Sequence, residues 1–251
     1  MTLEPEPTTR VQLCGPMIVE RSGQRLERQL PGPQGRRLFG YLVLHRHRPS
    51  SRDELVAALW SDDPPHGAAS ALNALLSKLR RVLGTDAFDG RSNVRLLLGD
   101  GVMVDVEVAG EAVHRAESRV ALGGWKEAWG PSLVALLVAE REFLPGEEGP
   151  WIDEQRRFLG EVRLRALETY GTAGLELGGT ELPAAVRSAR QLIELAPLRE
   201  SGYQLLMRAL ARQGNVAEAL RVYTQVSTTL RDELGVSPSA PIQAVYEELL
   251  A

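Results

Sequence analysis

The stretch that decides the fold of the first part of this chain is Ser51–Gly84, SRDELVAALWSDDPPHGAASALNALLSKLRRVLG. Ser51 and Glu54 have the spacing of a capping box, in which the hydroxyl accepts from a free N–H and the glutamate reaches back to the start of the helix. This spacing predicts a helix over residues 52–60. The apolar residues that we expect it to bury are Leu55, Val56, Leu59 and Trp60.

A second helix is predicted from Gly67 to Leu83, after a turn at Asp62-Asp63-Pro64-Pro65 in which proline fixes the backbone. Leucines recur on one side of this helix at Leu72, Leu75, Leu76, Leu79 and Leu83. The opposite side carries Gly67, Ser70, Ala74, Ser77 and Arg81, flanked by Asn73 and Lys78. A short helix, a tight turn and a helix with a small and basic outer face are typical of a helix-turn-helix reader of duplex DNA.

The outer face supplies the candidate DNA contacts. Small side chains allow a close approach to base edges, asparagine can pair with adenine, and arginine can pair with guanine. The candidates for base reading are therefore Ser70, Asn73, Ala74 and Ser77, whereas Lys78, Arg80 and Arg81 are mainly phosphate candidates. Further candidate contacts are Arg36, Arg37, Ser51, Arg91 and Arg95. The alternative for this helix is an ordinary surface helix with a basic end.

The flanking sequence predicts a winged form of the motif. Strand-forming residues between Arg10 and Leu30 predict a small antiparallel sheet. A helix is then expected from Gln34 to Arg46, with Leu38, Tyr41, Leu42 and His45 on one face. Two alternating runs, at Val94, Leu96, Leu98 and at Val102, Val104, Val106, surround Gly99-Asp100-Gly101 and predict a wing hairpin.

From Gly110 onward the sequence predicts helices alone. We expect them at 112–122, 125–143, 151–177, 182–195, 199–213, 216–234 and 241–250, with breaks at Gly123-Gly124 and Gly130-Pro131. Gly179 and Gly214 are 35 residues apart, which is close to the tetratricopeptide period. Such a repeat would place Tyr203, Leu206, Leu210, Ala219 and Tyr223 in its core. Stacked helical hairpins of this kind form surfaces for protein partners.

Composition and charge narrow the function classes. Residues 10–99 carry 14 Lys and Arg against 8 Asp and Glu, and residues 116–251 carry 14 against 19, so the basic front suits a polyanion. No apolar run is long enough for a membrane span, no secretory signal is present, and one cysteine fits the cytoplasm. No phosphate-binding loop, nucleophile motif or convergent metal-ligand set appears, so we expect neither an enzyme nor a metal or other cofactor.

Several motifs also resemble a known family. The segments LCGPMIVERSGQRL, GRRLFGYLVLHRHRPSSRDELVAALWSDDPP and ALNALLSKLRRVLG resemble the OmpR-type winged helix of the SARP family, the actinobacterial pathway-specific antibiotic regulators. The segment APLRESGYQLLMRALARQGNVAEALRVYTQVSTTLRDELGVSP resembles the bacterial transcriptional activation domain of the same family. Two positions depart from the family pattern: Gly99-Asp100-Gly101 stands near a usual Gly-Tyr pair, and Ser227 stands at a usual arginine.

The predicted fold is mainly α, with three parts: a disordered tail at 1–9, a winged helix-turn-helix domain at 10–108 and an all-α tetratricopeptide-like domain at 109–251. The resemblance implies an activator that binds promoter direct repeats, self-associates there, and recruits RNA polymerase holoenzyme through its sigma factor and core subunits. Its target would be a secondary-metabolite gene cluster, and its location the cytoplasm and the nucleoid. Two alternatives stay open: a tetratricopeptide-type adaptor, and a ligand-responsive repressor.

Overall fold

The computed structural model describes residues 9–61, 63–99 and 101–251. Internal contacts divide the chain into two compact units. The first contains the residues up to Val108 together with Arg141–Leu159, and the second contains Ala109–Glu140 together with Gly160–Ala251. The predicted tail lies outside the described residues except for Thr9, which was wrongly assigned to it. Thr9 is buried in the first strand, and its hydroxyl donates to the Leu98 carbonyl at 3.2 Å.

Two small sheets belong to the first unit. The first sheet has the order β3-β2-β1-β7, with strands β1 (Thr9–Gln12), β2 (Ile18–Arg21), β3 (Gln24–Arg25) and β7 (Met103–Val104). The second has the order β4-β6-β5, with strands β4 (Ser50–Ser51), β5 (Phe88–Asp89) and β6 (Asn93–Leu96). The predicted antiparallel sheet near the N-terminus is therefore present as β1, β2 and β3.

The predicted position of the wing hairpin is wrong. Asn93–Leu96 pairs with Phe88–Asp89 across a turn at residues 90–92, so the antiparallel hairpin after the third helix lies earlier in the chain. Met103–Val104 instead pairs in parallel with β1. The alternating valines misled the prediction because Val104 ends a strand, whereas Val106 already belongs to a helix that begins at Asp105. The Asp105 carboxylate fixes the start of this helix by accepting hydrogen bonds from the backbone N–H groups of Leu13 and Cys14, both at 2.9 Å.

Three helices form the core of the first unit: α1 (Gly32–Leu44), α2 (Arg52–Trp60) and α3 (Ala68–Leu83). The bounds of α2 agree with the prediction. Each helix contributes fully buried leucines, among them Leu38, Leu42, Leu55, Leu59, Leu72, Leu76 and Leu79. Burial of one such side chain stabilises the fold by about 1.5 to 3 kcal/mol, so this core holds α3 in place. Val56 and Trp60, expected to be buried, are only half-buried, and Ala58 is buried instead.

The second unit is helical throughout. The elements that build it are part of α4 (Asp105–Ala121), α5 (Trp125–Ala139), the larger part of α6 (Pro150–Leu177), α7 (Leu182–Leu195), α8 (Glu200–Arg212), α9 (Val216–Leu234) and α10 (Ala240–Leu250). Helix α8 packs against α7, α9 and α10. The predicted core residues Tyr203, Leu206, Leu210 and Ala219 are buried, and Tyr223 stacks on Tyr246 with ring centroids 4.0 Å apart.

One predicted break in this unit is wrong. Helix α5 continues through Gly130-Pro131. An interior proline removes one backbone donor and crowds the carbonyl four residues earlier, but α5 accommodates Pro131 without ending there. Ser132 is fully buried, and its hydroxyl oxygen lies 2.8 Å from the Ala128 carbonyl oxygen and 3.1 Å from the Thr169 hydroxyl oxygen, the two acceptors within reach of its single proton. In the described part of the chain, no helix is both long and apolar enough to cross a membrane.

Candidate nucleic-acid interface

The candidate reading helix, α3, has clear local reasons to begin and end where it does. Gly67 precedes it with a φ of 83° and Gly84 follows it with a φ of 94°, a left-handed range that favours glycine at both ends. Between them, alanine, leucine, lysine and arginine are strong helix formers. Arg80 and Arg81 lie in the last turn, where positive charge interacts favourably with the helix dipole.

The two faces of α3 separate as the sequence predicts. All five leucines of the predicted stripe are buried. The exposed positions are Ala69, Ser70, Asn73, Ala74, Ser77, Lys78 and Arg81. Every residue that we proposed for base reading therefore lies at the surface of the first unit, together with two of the three basic residues. An ordinary surface helix would also show this separation. The charge of the exposed face and the contacts of its neighbours must therefore distinguish a DNA-binding helix from an ordinary one.

The exposed face of α3 is uniformly non-acidic. The helix contains no aspartate or glutamate. Within the described residues, no carboxylate forms an ion pair with Lys78 or Arg81, so both charges remain available to a polyanion. Arg80 differs from them: its guanidinium lies 5.3 Å from the Phe88 ring centroid and donates to the Gly90 carbonyl at 3.5 Å. Arg80 thus packs against the β5–β6 hairpin, and we leave it out of the proposed contact surface.

Asn73 has a neighbour that sequence reasoning missed. The Nη1 group of Arg52, in the first turn of α2, donates to Asn73 Oδ1 at 2.6 Å. The Nε–H of Arg52 donates to the Arg91 carbonyl at 3.0 Å, so one side chain links α2, α3 and the β5–β6 turn. The two linked residues are 21 positions apart, and no local motif signals such a contact.

The predicted capping box is present. Ser51 Oγ accepts from the Glu54 backbone N–H at 3.2 Å, as expected. The Glu54 carboxylate reaches back to the Ser51 backbone N–H, and it also accepts from the Tyr41 hydroxyl and from the Arg48 guanidinium, the latter at 3.0 Å. The guanidinium lowers the pKa of Glu54 to about 2, and burial raises the pKa of Tyr41 to about 12. Ser51 itself is exposed and keeps a hydroxyl proton for an outside acceptor.

The two arginines of α1 lie in different surroundings. Arg37 donates to the Leu59 carbonyl at 2.8 Å and to the Glu147 carboxylate at 3.2 Å, and its side chain is only 22% exposed. It therefore completes the end of α2, and we remove it from the proposed phosphate contacts. Arg36 lines a cavity of about 380 Å³ with residues of the β1–β2 turn and of 144–147, and no residue of α3 lines this cavity.

The two arginines of the hairpin are exposed. Arg91 lies in the β5–β6 turn, and Arg95 lies in β6, where its Nε–H donates to the Arg46 carbonyl at 3.0 Å. Arg91 has the freer side chain of the two and is the better phosphate candidate. The predicted wing tip, Asp100, lies outside the described residues.

A separate cavity of about 350 Å³ lies in the second unit. Its lining includes Glu117, Arg165, Glu168 and Arg199. Arg165 pairs with Glu117 and lowers the pKa of that carboxyl, and Arg199 pairs with Glu168 at 3.2 Å. The charged residues that line the cavity are thus paired with each other.

Comparison with known proteins agrees with this architecture. Residues 104–250 match the family described as "Bacterial transcriptional activator domain", and residues 30–99 match "Transcriptional regulatory protein, C terminal". The chain is 35% identical over 243 residues to Regulatory protein AfsR of Streptomyces coelicolor, which covers 96% of this chain and 24% of AfsR. It is 32% identical over 225 residues to Transcriptional regulator RedD of the same organism, and the alignment covers 86% of this chain and 63% of RedD.

A solved structure of EmbR from Mycobacterium tuberculosis, in complex with a low-affinity phosphopeptide, has the same fold. Its TM-score is 0.82 at 25% identity, with 98% of this chain and 65% of that chain covered. The chain spans about a quarter of the AfsR proteins and less than two thirds of EmbR and RedD. The family matches, together with a winged helix followed by an all-helical unit, show that the chain belongs to the SARP family, with an OmpR-type DNA-binding domain and a bacterial transcriptional activator domain.

Proposed function

We propose that this protein activates transcription by binding promoter DNA through the outward face of α3. The observation that carries the proposal is the exposed, acid-free row of Ser70, Asn73, Ala74, Ser77 and Arg81 on a helix whose other face is locked into the core. The small side chains leave room for base edges, while Lys78 and Arg81 supply positive charge beside them. Arg91 and Ser51 extend the proposed contacts to the phosphates.

The helical second unit supplies the proposed partner surface. Its fold stacks α7, α8, α9 and α10 around a shared core, an arrangement that presents helix faces to other proteins. The partner that best fits a family of transcriptional regulators is RNA polymerase holoenzyme, contacted through its sigma factor and core subunits. Binding at direct repeats by more than one copy would raise the local concentration of polymerase at a weak promoter. The target would be a secondary-metabolite cluster in the nucleoid of a bacterial cytoplasm.

DNA binding is tested by a salt titration with the DNA upstream of the gene. Each phosphate contact contributes about 0.9 to the slope of log affinity against log salt. Removal of both Lys78 and Arg81 as K78A/R81A should therefore lower the slope by about 1.8 if both hold phosphates. The control is Arg28→Ala, which removes an exposed arginine outside α3 and should leave the slope unchanged.

Arg81→Ala alone separates two roles of that residue. If Arg81 reads guanine, affinity falls by about 1 to 3 kcal/mol and the preference at one base position relaxes. If Arg81 holds a phosphate, the loss is uniform across DNA sequences. Promoter affinity that is unchanged in K78A/R81A contradicts the proposed surface.

Transcription with purified holoenzyme tests activation separately. An activator increases the transcript from its own promoter, a repressor lowers it, and an adaptor without DNA binding retards no promoter fragment.

A further inference from the structure

We propose that a cavity in the first unit binds a small molecule that has an apolar body and one anionic group, such as a carboxylate, a sulfonate or a phosphate monoester. The cavity is the one that Arg36 lines. Its volume of about 380 Å³ lies in the range of about 300 to 1,000 Å³ that small-molecule pockets occupy. No residue of α3 lines it, so this site goes beyond the proposed DNA contacts.

Four apolar side chains line the cavity. Pro16 and Met17 come from the β1–β2 turn, and Leu144 and Pro145 come from the segment that follows α5. Met17 is half-buried and Leu144 is buried. Such side chains remove the apolar part of a ligand from water, which favours binding.

Hydrogen bonds hold these two segments together. The Gly15 N–H donates to the Glu142 carbonyl at 2.7 Å, and the Leu144 N–H donates to the Leu13 carbonyl at 2.9 Å. Arg156 donates to the Leu144 carbonyl at 3.2 Å. Leu144 has a φ of 41°, a left-handed conformation that a residue other than glycine keeps only where the surrounding structure enforces it. The cavity is therefore formed before a ligand arrives, which reduces the ordering cost of binding.

Two arginines of the lining carry unmatched positive charge. Arg28 lies in the short 3₁₀ helix Glu27–Gln29, and Arg36 lies near the start of α1. In the described part of the chain, no carboxylate forms an ion pair with either guanidinium. A guanidinium has five N–H donors and no acceptor, and their fork geometry suits an anionic group with several oxygens. The two arginines are therefore the proposed anchors of the anionic group.

The two carboxylates of the lining are already neutralised by arginines that do not line the cavity. Glu27 accepts from Arg25 Nε at 3.0 Å, and Arg25 lowers the pKa of Glu27 to about 2. Glu147 accepts from Arg37 at 3.2 Å, and its side chain is only 8% exposed. The two unpaired arginines therefore give the cavity a net positive charge, which favours an anion over an uncharged ligand of the same shape.

The test is fluorescence titration of the full chain with anilinonaphthalene sulfonate, a dye that joins an aromatic body to one sulfonate. The wild-type protein should bind it at one saturable site. R28A/R36A should weaken this affinity about tenfold, or about 1.4 kcal/mol, and should leave affinity for the uncharged dye phenylnaphthylamine unchanged. The matched control is R208A/R221A, which removes two exposed arginines of the second unit and should change neither affinity.

Two further variants test the location of the site and the neutralisation of its carboxylates. Met17→Trp fills part of the cavity and should weaken the binding of both dyes. Arg25→Ala leaves the Glu27 carboxylate unpaired, so it should weaken the sulfonate dye alone, although no residue of the lining has changed. Circular dichroism and thermal unfolding establish that each variant is folded. If Met17→Trp does not fold, R28A/R36A and Arg25→Ala still decide the matter.

Distinct outcomes overturn the proposal. A folded wild-type protein that shows no saturable binding of the sulfonate dye has no such site. Equal sulfonate affinity in the wild type and in R28A/R36A shows that the two arginines hold no anion, and an equal loss in R208A/R221A shows an effect of overall charge. Unchanged binding of both dyes by folded Met17→Trp places the dye elsewhere. No measurement here contains DNA, so each of these results leaves the proposed function intact.

Discussion

Replacement of Glu54 by glutamine tests the contact that joins α1 to α2. The Glu54 carboxylate accepts from the Tyr41 hydroxyl and from Arg48, and it is 28% exposed. Glutamine keeps an oxygen for Tyr41 but loses the charge that attracts Arg48. Glu54→Gln should therefore reduce the free energy of unfolding at neutral pH without abolishing the fold.

The magnitude follows from the pKa of Glu54, which Arg48 lowers from 4.5 to about 2. At about 1.4 kcal/mol for each pH unit, such a shift corresponds to at most about 3.5 kcal/mol. Arg48 is 52% exposed, so solvent screening reduces the expected contribution of Glu54 to about 1 to 2 kcal/mol. Because the folded pKa lies below the unfolded pKa, this stability is present above about pH 4.5 and is lost as the pH falls toward about 2.

The assay is urea denaturation of the wild-type and variant proteins at several pH values between about 7 and about 3. The difference in free energy of unfolding should be largest at neutral pH and should shrink in the acid range. Asp53→Asn is the matched control, since it neutralises the neighbouring exposed carboxylate in the first turn of α2. A difference for Glu54→Gln that stays constant across this pH range, or no difference at neutral pH, would refute the reasoning.

Two further predictions concern packing. Leu79→Ala should lower the free energy of unfolding by about 2 to 5 kcal/mol in urea denaturation, since Leu79 is fully buried, whereas Ser77→Ala on the exposed face should leave it nearly unchanged; equal effects would place the core on the wrong side of α3. In α6, Gly171→Ala should lower the midpoint of thermal unfolding, because its Cβ would lie 2.5 Å from a Leu205 methyl. Gly160→Ala in the same helix meets open space and should raise the midpoint; a rise for both variants would contradict the packing of α6.

Much of the fold follows from local patterns. The spacing of Ser51 and Glu54 predicts the start of α2, and the leucine stripe of α3 predicts which side is buried. Both signals are short in range and agree with the tertiary packing. The turn glycines at 123 and 124 likewise separate α4 from α5, because glycine is a strong local signal for the end of a helix.

The predictions failed where contacts with residues distant in the sequence overrode a local sequence signal. The valines near 102–106 alternate like a strand, but the backbone N–H groups of Leu13 and Cys14 bind Asp105 and a helix begins there. Pro131 is a strong break signal, yet α5 continues through it. The placement of residues 141–159 in the first unit depends on contacts such as that of Trp151 Nε1–H with the Ala58 carbonyl at 3.0 Å.

The sequence likewise predicts some features of the candidate site and misses others. Helical periodicity predicts which residues of α3 are exposed, because the leucine stripe marks the face that packs in the core. Periodicity does not reveal that Arg37 is bound to Leu59 and Glu147 or that Arg52 holds Asn73, because each partner lies far away in sequence. The partners of these side chains are therefore a property of the folded domain.

The most direct test of the central proposal places a DNA-cleaving iron chelate on the outward face of α3. Ser77→Cys gives an exposed attachment point, and the natural cysteine, Cys14, is buried. The Ser77 conjugate should cut both DNA strands within the footprint of the protein, in the pattern expected of a major groove. A conjugate that binds and footprints the same promoter fragment but leaves the DNA within the footprint uncut would contradict the account.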